Sequence, residues 1–107
     1  KIEKKMSVSK TTPLEFTHPG LLLKDDLGEL GLTPYRVSKE TGISQTNLSK
    51  ILKGQRSITA DTGLRLAKLL GLSERYFMNL QLRYDTQKAK QDHHELYDHI
   101  STYAPTI

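Results

Sequence analysis

Residues 33–54, TPYRVSKETGISQTNLSKILKG, constrain the fold more than any other stretch of the chain. They read as two short helices joined by a sharp turn. Thr33 can N-cap a helix, and Pro34 suits its first position, where the missing N–H has no intrahelical partner to lose. Gly42 tolerates positive φ at the point where that helix must stop. Ser44 restarts the chain as a second N-cap, and Gly54 ends the second helix. Val37, Ser38, Ile43, Leu48 and Ile51 then line one apolar or small face on each helix, with Ile43 in the corner. Outward on the second helix are Gln45, Thr46, Asn47, Ser49, Lys50 and Lys53. A helix selected only for stability would carry Glu, Lys and Ala there.

The outward residues are poorer helix formers that bond well to base edges, so the spacing predicts a helix-turn-helix whose second helix enters the DNA major groove. Gln45, Thr46, Asn47 and Lys50 are the candidate base readers. A glutamine can bond adenine N6 and N7 together, a threonine methyl can touch a thymine methyl, and a lysine can reach guanine O6 or N7. Asn47 points nearer the groove wall. Ser44 is both cap and candidate phosphate donor. Tyr35 and Arg36 open the helix that crosses the DNA backbone, so they are phosphate candidates too. Lys53, Gln55, Arg56 and Ser57 follow the reading helix, where the loop should track the next phosphates. The bland alternative for each is a solvated polar face.

The charge distribution supports the DNA reading. The formal net charge is +4. Between Thr33 and Ile58 stand Arg36, Lys39, Lys50, Lys53 and Arg56, with Glu40 the one acid, so this window alone carries the whole excess. A basic excess confined to the reading unit fits phosphate contact, although charged runs are commonly just solvated.

Around this unit the chain reads as one small all-α domain of five helices. Residues 1–17 are polar and basic with no helical stripe, and are expected to form a flexible arm. Met6 can serve as the start, with residues 1–5 an added segment or an alternative start. A first helix begins near Pro19, capped by Thr17 or His18, with Leu22, Leu23, Leu27 and Leu30 as its buried stripe and Gly31 as its end. Thr59 caps a fourth helix with Leu64, Leu66, Ala67, Leu69 and Leu70 inward and Gly71 as its stop. Gly63 lies within it, at a cost of about 1 kcal/mol against Ala, which a close neighbouring helix would explain. Ser73 is expected to cap a fifth helix, with Glu74 in its first turn and Tyr76, Phe77, Leu80 and Tyr84 as its stripe. Residues 86–107 form a polar tail with a weaker stripe of His93, Leu96, Tyr97 and Ile100. That tail can continue helix five, form a short helix of its own, or order on a partner.

Several function classes are excluded as expectations. The sequence holds no Cys, which removes disulfides, Cys-based zinc sites and thiol catalysis. It shows no apolar run of about 18 residues and no secretory leader, so neither a membrane span nor secretion is expected, and a cytoplasmic location is. Asp92, His93, His94, Glu95 and His99 are of ligand type, but only Glu95 and His99 have helical i, i+4 spacing, so no metal site is expected. No Ser-His-Asp spacing or Gly-rich phosphate loop is present, and no enzyme activity or cofactor is expected. The hydrophobic share of 36% implies a modest core that a homodimer would help complete, through Phe77, Leu80 and Tyr84 on helix five.

Residues 18–85 resemble the HigA/VapI antitoxin group of the XRE (Cro and phage-repressor-like) helix-turn-helix family nearly end to end. The specific motifs are HPG at 18–20, the RSIT-AD-T segment at 56–62 and NLQLRYD at 79–85. Ser38 and Gly63 stand where the family usually has Ala, and Tyr76-Phe77-Met78 departs from its aromatic segment. The resemblance implies a compact five-helix domain at 18–85, a homodimer on a palindromic double-stranded operator, and a cognate RelE-like toxin that cleaves mRNA. An antitoxin that represses its own operon is therefore the leading expectation, and a stand-alone XRE-family repressor is the alternative. A basic RNA-cleaving toxin would be attracted to acids, which points to Asp25, Asp26 and Glu29 on helix one, with the N-terminal arm, as its binding surface.

Overall fold

The computed structural model describes residues 16–103. The arm expected at 1–17 therefore lies outside the described residues up to position 15, as do Met6 and the last four residues of the tail. Among the described residues there are five helices and no strand: α1 (Pro19–Leu30), α2 (Pro34–Thr41), α3 (Gln45–Leu52), α4 (Ala60–Leu70) and α5 (Tyr76–Asp98). Helix α1 packs on α3 and α5, α2 packs on α3 and α4, and α4 packs on α5.

The helix boundaries follow local chemistry. His18 is the cap of α1, its Nδ1 accepting the Gly20 N–H over 2.8 Å. Thr33, Ser44 and Thr59 cap α2, α3 and α4 with their hydroxyls, accepting from Arg36, Asn47 and Thr62. Helix α5 starts differently. The Ser73 hydroxyl accepts the Arg75 N–H one turn ahead of the helix, and α5 itself has no side-chain cap. The expectation that Ser73 caps α5 is corrected accordingly.

Leu23, Leu27, Val37, Ile43, Leu48, Ile51, Leu52, Ile58, Leu66, Ala67 and Phe77 form the core. Two expected core positions are corrected. Leu30 is 61% exposed. Gly31 takes a left-handed conformation, the Leu32 N–H turns back to the Leu27 carbonyl, and Leu32 packs on the core instead. Leu64 is 49% exposed, and Thr62 and Gly63 take the inner face of α4 at that level. A Cβ on Gly63 would lie 3.3 Å from Phe77 Cβ, so the glycine marks the close α4–α5 crossing.

The described part of the C-terminal region is helical on both sides of a kink at His93. Helix α5 passes through residue 85 and runs to Asp98, with non-helical angles at His93. Only Phe77 and Gln81 of this helix are buried. Ile58, in a loop read from the sequence as polar, is a core residue whose N–H donates to Gln81 Oε1 over 2.9 Å. Gln81 Nε2 donates in turn to Asp85.

Candidate nucleic-acid interface

The turn between α2 and α3 is fixed from inside. Ile43 is buried in the corner, and Val37, Leu48 and Ile51 are fully covered. The Ser38 hydroxyl donates to the Ile43 carbonyl across the turn. Thr41 Oγ1 donates to the Val37 carbonyl and accepts the Ile43 N–H. From α4, Arg65 donates to the Thr41 carbonyl over 2.8 Å and pairs with Asp61. The guanidinium thereby meets the negative end of α2, where the dipole favours a cation. Gly42 has φ +82, which favours glycine; a Cβ there would lie 2.8 Å from Arg65 Nη1, the far end of a side chain that can give way.

This bracing leaves one face of α3 open. Gln45, Thr46 and Lys50 are exposed, while Asn47 and Ser49 are half-buried. Ser44 is exposed at the N-terminus of α3. Tyr35 is 59% exposed at the start of α2. Arg36 beside it is paired with Glu40 at 3.1 Å, an exposed contact worth little in water and so readily exchanged for a phosphate. Lys53, Gln55, Arg56 and Ser57 are exposed in and after the last turn of α3. The loop folds back on the helix: Gln55 N–H donates to the Lys50 carbonyl, and Arg56 Nη1 donates to Asn47 Oδ1 over 2.8 Å. The loop thereby brings Arg56 against Asn47 and Gln55 against Lys50.

Of the residues expected to pair, Phe77 is buried and Leu80 and Tyr84 are half-buried. Phe77 is 2% exposed and packs beneath Tyr76, with ring centroids 5.0 Å apart, so it belongs to the protomer core. Leu80 packs against that core, and Tyr84 meets the His18 ring edge-on at 5.2 Å. Exposed apolar side chains lie elsewhere, among them Leu82, Leu96 and Tyr97 of α5 and Ile100 just past its end. Asp25 and Glu29 are exposed on α1, whereas Asp26 is half-buried. Burial pushes the Tyr76 hydroxyl above its ordinary pKa, and the charge of Asp26 adds to the effect.

A sequence model described as helix-turn-helix matches residues 23–77. The chain belongs to the helix-turn-helix family. Within that family it is 37% identical over 76 residues to virulence-associated protein I of Dichelobacter nodosus, which covers 70% of each chain. Its fold matches an addiction module antidote protein of a HigA family from Coxiella burnetii with a TM-score of 0.77 and 36% identity, over 82% of this chain and 98% of that one. It matches the Pseudomonas aeruginosa antitoxin HigA, solved with the higBA promoter, at a TM-score of 0.77 and 27% identity, over 84% and 99% of the two chains. The XRE-type fold and the HigA/VapI resemblance carried by the motifs are thereby established for this helix-turn-helix protein.

The three motifs acquire structural meaning. In HPG, His18 caps α1, Pro19 fills its first position, and Gly20 lets α1 approach α3. In the second segment, Ile58 enters the core and Thr59 caps α4. In the third, Gln81 holds the Ile58 N–H. Sequence reasoning missed Gln81, Arg65 and the Ser38 bond, because each acts through a partner remote in sequence or across the turn. Among the described residues no helix is long and apolar enough to cross a membrane. No group of three or more His, Asp or Glu among them is placed to hold a metal, and His99 Nδ1 bonds to the Glu95 carbonyl.

Proposed function

We propose that the protein is a sequence-specific DNA-binding antitoxin that represses its own operon and neutralises a RelE-like, mRNA-cleaving toxin. The observation that carries this reading is the braced α2–α3 unit, which presents Gln45, Thr46 and Lys50 on an exposed face with Arg56 and Lys53 beside it. Side chains of these types match base edges, and the cations match phosphates. Tyr35, Arg36, Ser44, Gln55 and Ser57 extend the phosphate-facing border. The HigA protein solved with its promoter has the same fold at 27% identity, which supports carrying DNA binding over to this chain.

One reading helix spans only a few base pairs, so a symmetric dimer on two half-sites about 34 Å apart is part of the proposal. The end of α5 and the residues just past it supply its pairing surface, through Leu96, Tyr97 and Ile100. Asp25, Asp26 and Glu29 on α1 supply an acidic surface for a basic toxin, outside the two DNA-facing helices. The Coxiella relative's description as an antidote protein supports the toxin half of the reading.

The test has two arms. Footprinting on the DNA upstream of the chain's own gene should show two protected half-sites related by a dyad. Co-expression with the product of the adjacent reading frame should yield a stable complex and restore growth. A footprint without a complex would favour the stand-alone repressor.

A further inference from the structure

Arg56 reaches back nine residues to Asn47, its Nη1 donating to Asn47 Oδ1 over 2.8 Å. A guanidinium only donates, so chemistry fixes the amide: its oxygen faces Arg56 and its NH2 group faces away. We infer that Arg56 is a positioning residue that holds the Asn47 oxygen and turns its NH2 group outward, so that the pair anchors a phosphate and Asn47 does not read a base. This rests on the DNA-binding reading above.

Four observations carry it. An asparagine reads adenine by offering a donor and an acceptor together, and here the acceptor is engaged. Phosphate oxygens only accept, which suits both the outward NH2 of Asn47 and the remaining N–H groups of Arg56. Asn47 is also recessed relative to Gln45, Thr46 and Lys50, being half-buried where they are exposed. It sits in the first turn of α3, its N–H on the Ser44 hydroxyl, where the helix dipole favours an anion. Finally, Arg36 and Arg65 each pair with a carboxylate, whereas among the described residues no carboxylate pairs with Arg56. Its charge is available to a nucleic acid.

The experiment uses the full chain as wild type, Asn47→Ala, Asn47→Asp, Arg56→Ala and the double alanine variant. Each is titrated with operator and with random duplex over a salt series, and each selects from duplexes randomised across the half-site. Thermal melting confirms that all are folded at the assay temperature. Asn47→Ala should weaken both duplexes alike, by about tenfold, with base preference unchanged. Asn47→Asp should weaken both further, because it turns a negative group toward the phosphate. Arg56→Ala should lower the salt slope by about one. The double variant should lose less than the product of the single losses, since the two side chains act as a unit. Loss of preference at one base position in Asn47→Ala would overturn the inference, as would single losses that multiply. A wild-type chain that prefers no duplex at all would overturn the DNA-binding reading, and this inference with it.

Discussion

Gly20 lies against the main-chain carbonyl of Ile51, so close that a Cβ on it would stand 1.7 Å from the oxygen and 2.7 Å from the carbon. The first turn of α1 is thereby seated on the last turn of the reading helix. The same carbonyl accepts the Gly54 N–H, and a Cβ on Gly54 would lie 3.6 Å from the His18 ring. The start of the domain and the end of α3 are a single packed joint.

Gly20→Ala should therefore damage both stability and DNA binding. Both contacting atoms are backbone, so no rotamer change relieves the clash, and α1 must move away from α3. The loss should reach or exceed the 1–3 kcal/mol usual for an overpacked core, about 3 kcal/mol. Urea unfolding measures it. Operator affinity, assayed well below the melting temperature, should also fall, because α3 moves with the joint. A variant as stable as wild type would show that the helices separate freely.

Gln81→Leu should cost about 1–3 kcal/mol, the usual range when a buried donor loses its partner. The side chain is 5% exposed, and its Oε1 is the acceptor of the Ile58 N–H. Leucine preserves the volume but leaves that N–H in the core without its acceptor. Chemical denaturation should show the loss, and Gln81→Leu should exchange the Ile58 amide proton faster than wild type. An unchanged midpoint would mean that water replaces the amide.

The helices were legible because their signals are local. Thr33, Ser44 and Thr59 cap where the pattern places them, and Gly31, Gly42, Gly54 and Gly71 take positive φ. The outward face of α3 was legible for the same reason: its period is that of a helix. Other features depend on elements far apart in sequence. Phe77 reads as one more aromatic on a stripe, and only the α4–α5 crossing at Gly63 shows that it faces inward. Leu30 continues the period of α1, but the turn at Gly31 substitutes Leu32. Gln81 looks like a surface residue until the loop at Ile58 is laid against it. Asn47 reads from the sequence as a base contact nearer the groove wall, and only the fold-back of Arg56 shows its oxygen engaged.

His18 should make stability depend on pH. Its Nδ1 accepts the Gly20 N–H, so the cap needs the neutral ring. Burial lowers its pKa from the ordinary value, and the negative charge of Asp85 opposes this without reversing it. The folded chain then binds fewer protons than the unfolded one just below the ordinary value of about 6.5. The stabilisation is complete above that value and is lost as pH falls through the lower folded value. Melting temperature should drop between pH 7 and 5, and the drop should be smaller in His18→Asn, which keeps a capping acceptor that does not titrate. Parallel pH curves for the two proteins would assign the dependence to other groups.

Gln45→Ala and Lys50→Ala should each lose about 1–3 kcal/mol per half-site on operator DNA and little on random DNA. Both side chains are exposed on α3, and the core beneath them is formed by Leu48 and Ile51. Truncating them removes recognition without touching the fold. Fluorescence anisotropy on the two duplexes separates the outcomes. Equal weakening on both would mean that α3 is not the reader.

Leu96→Glu with Ile100→Glu should convert the proposed dimer to monomer without unfolding the domain. Leu96 and Tyr97, in the last turn of α5, and Ile100, just past its end, are 64%, 44% and 71% exposed, beyond the irregular turn at His93. The buried residues of α5 are Phe77 and Gln81, several turns earlier, so the protomer core gains nothing from this stripe. An apolar stripe left outside the core is a natural pairing surface, and charging it on both chains places like charges face to face. Sedimentation should show half the mass at micromolar concentration, while the melting curve of the α1–α4 core keeps its shape. Operator binding should weaken steeply, because each half-site would then be held by one reading helix alone. A double variant that remains dimeric would move the pairing surface to another face, with Leu82 the next exposed apolar residue of α5 to charge.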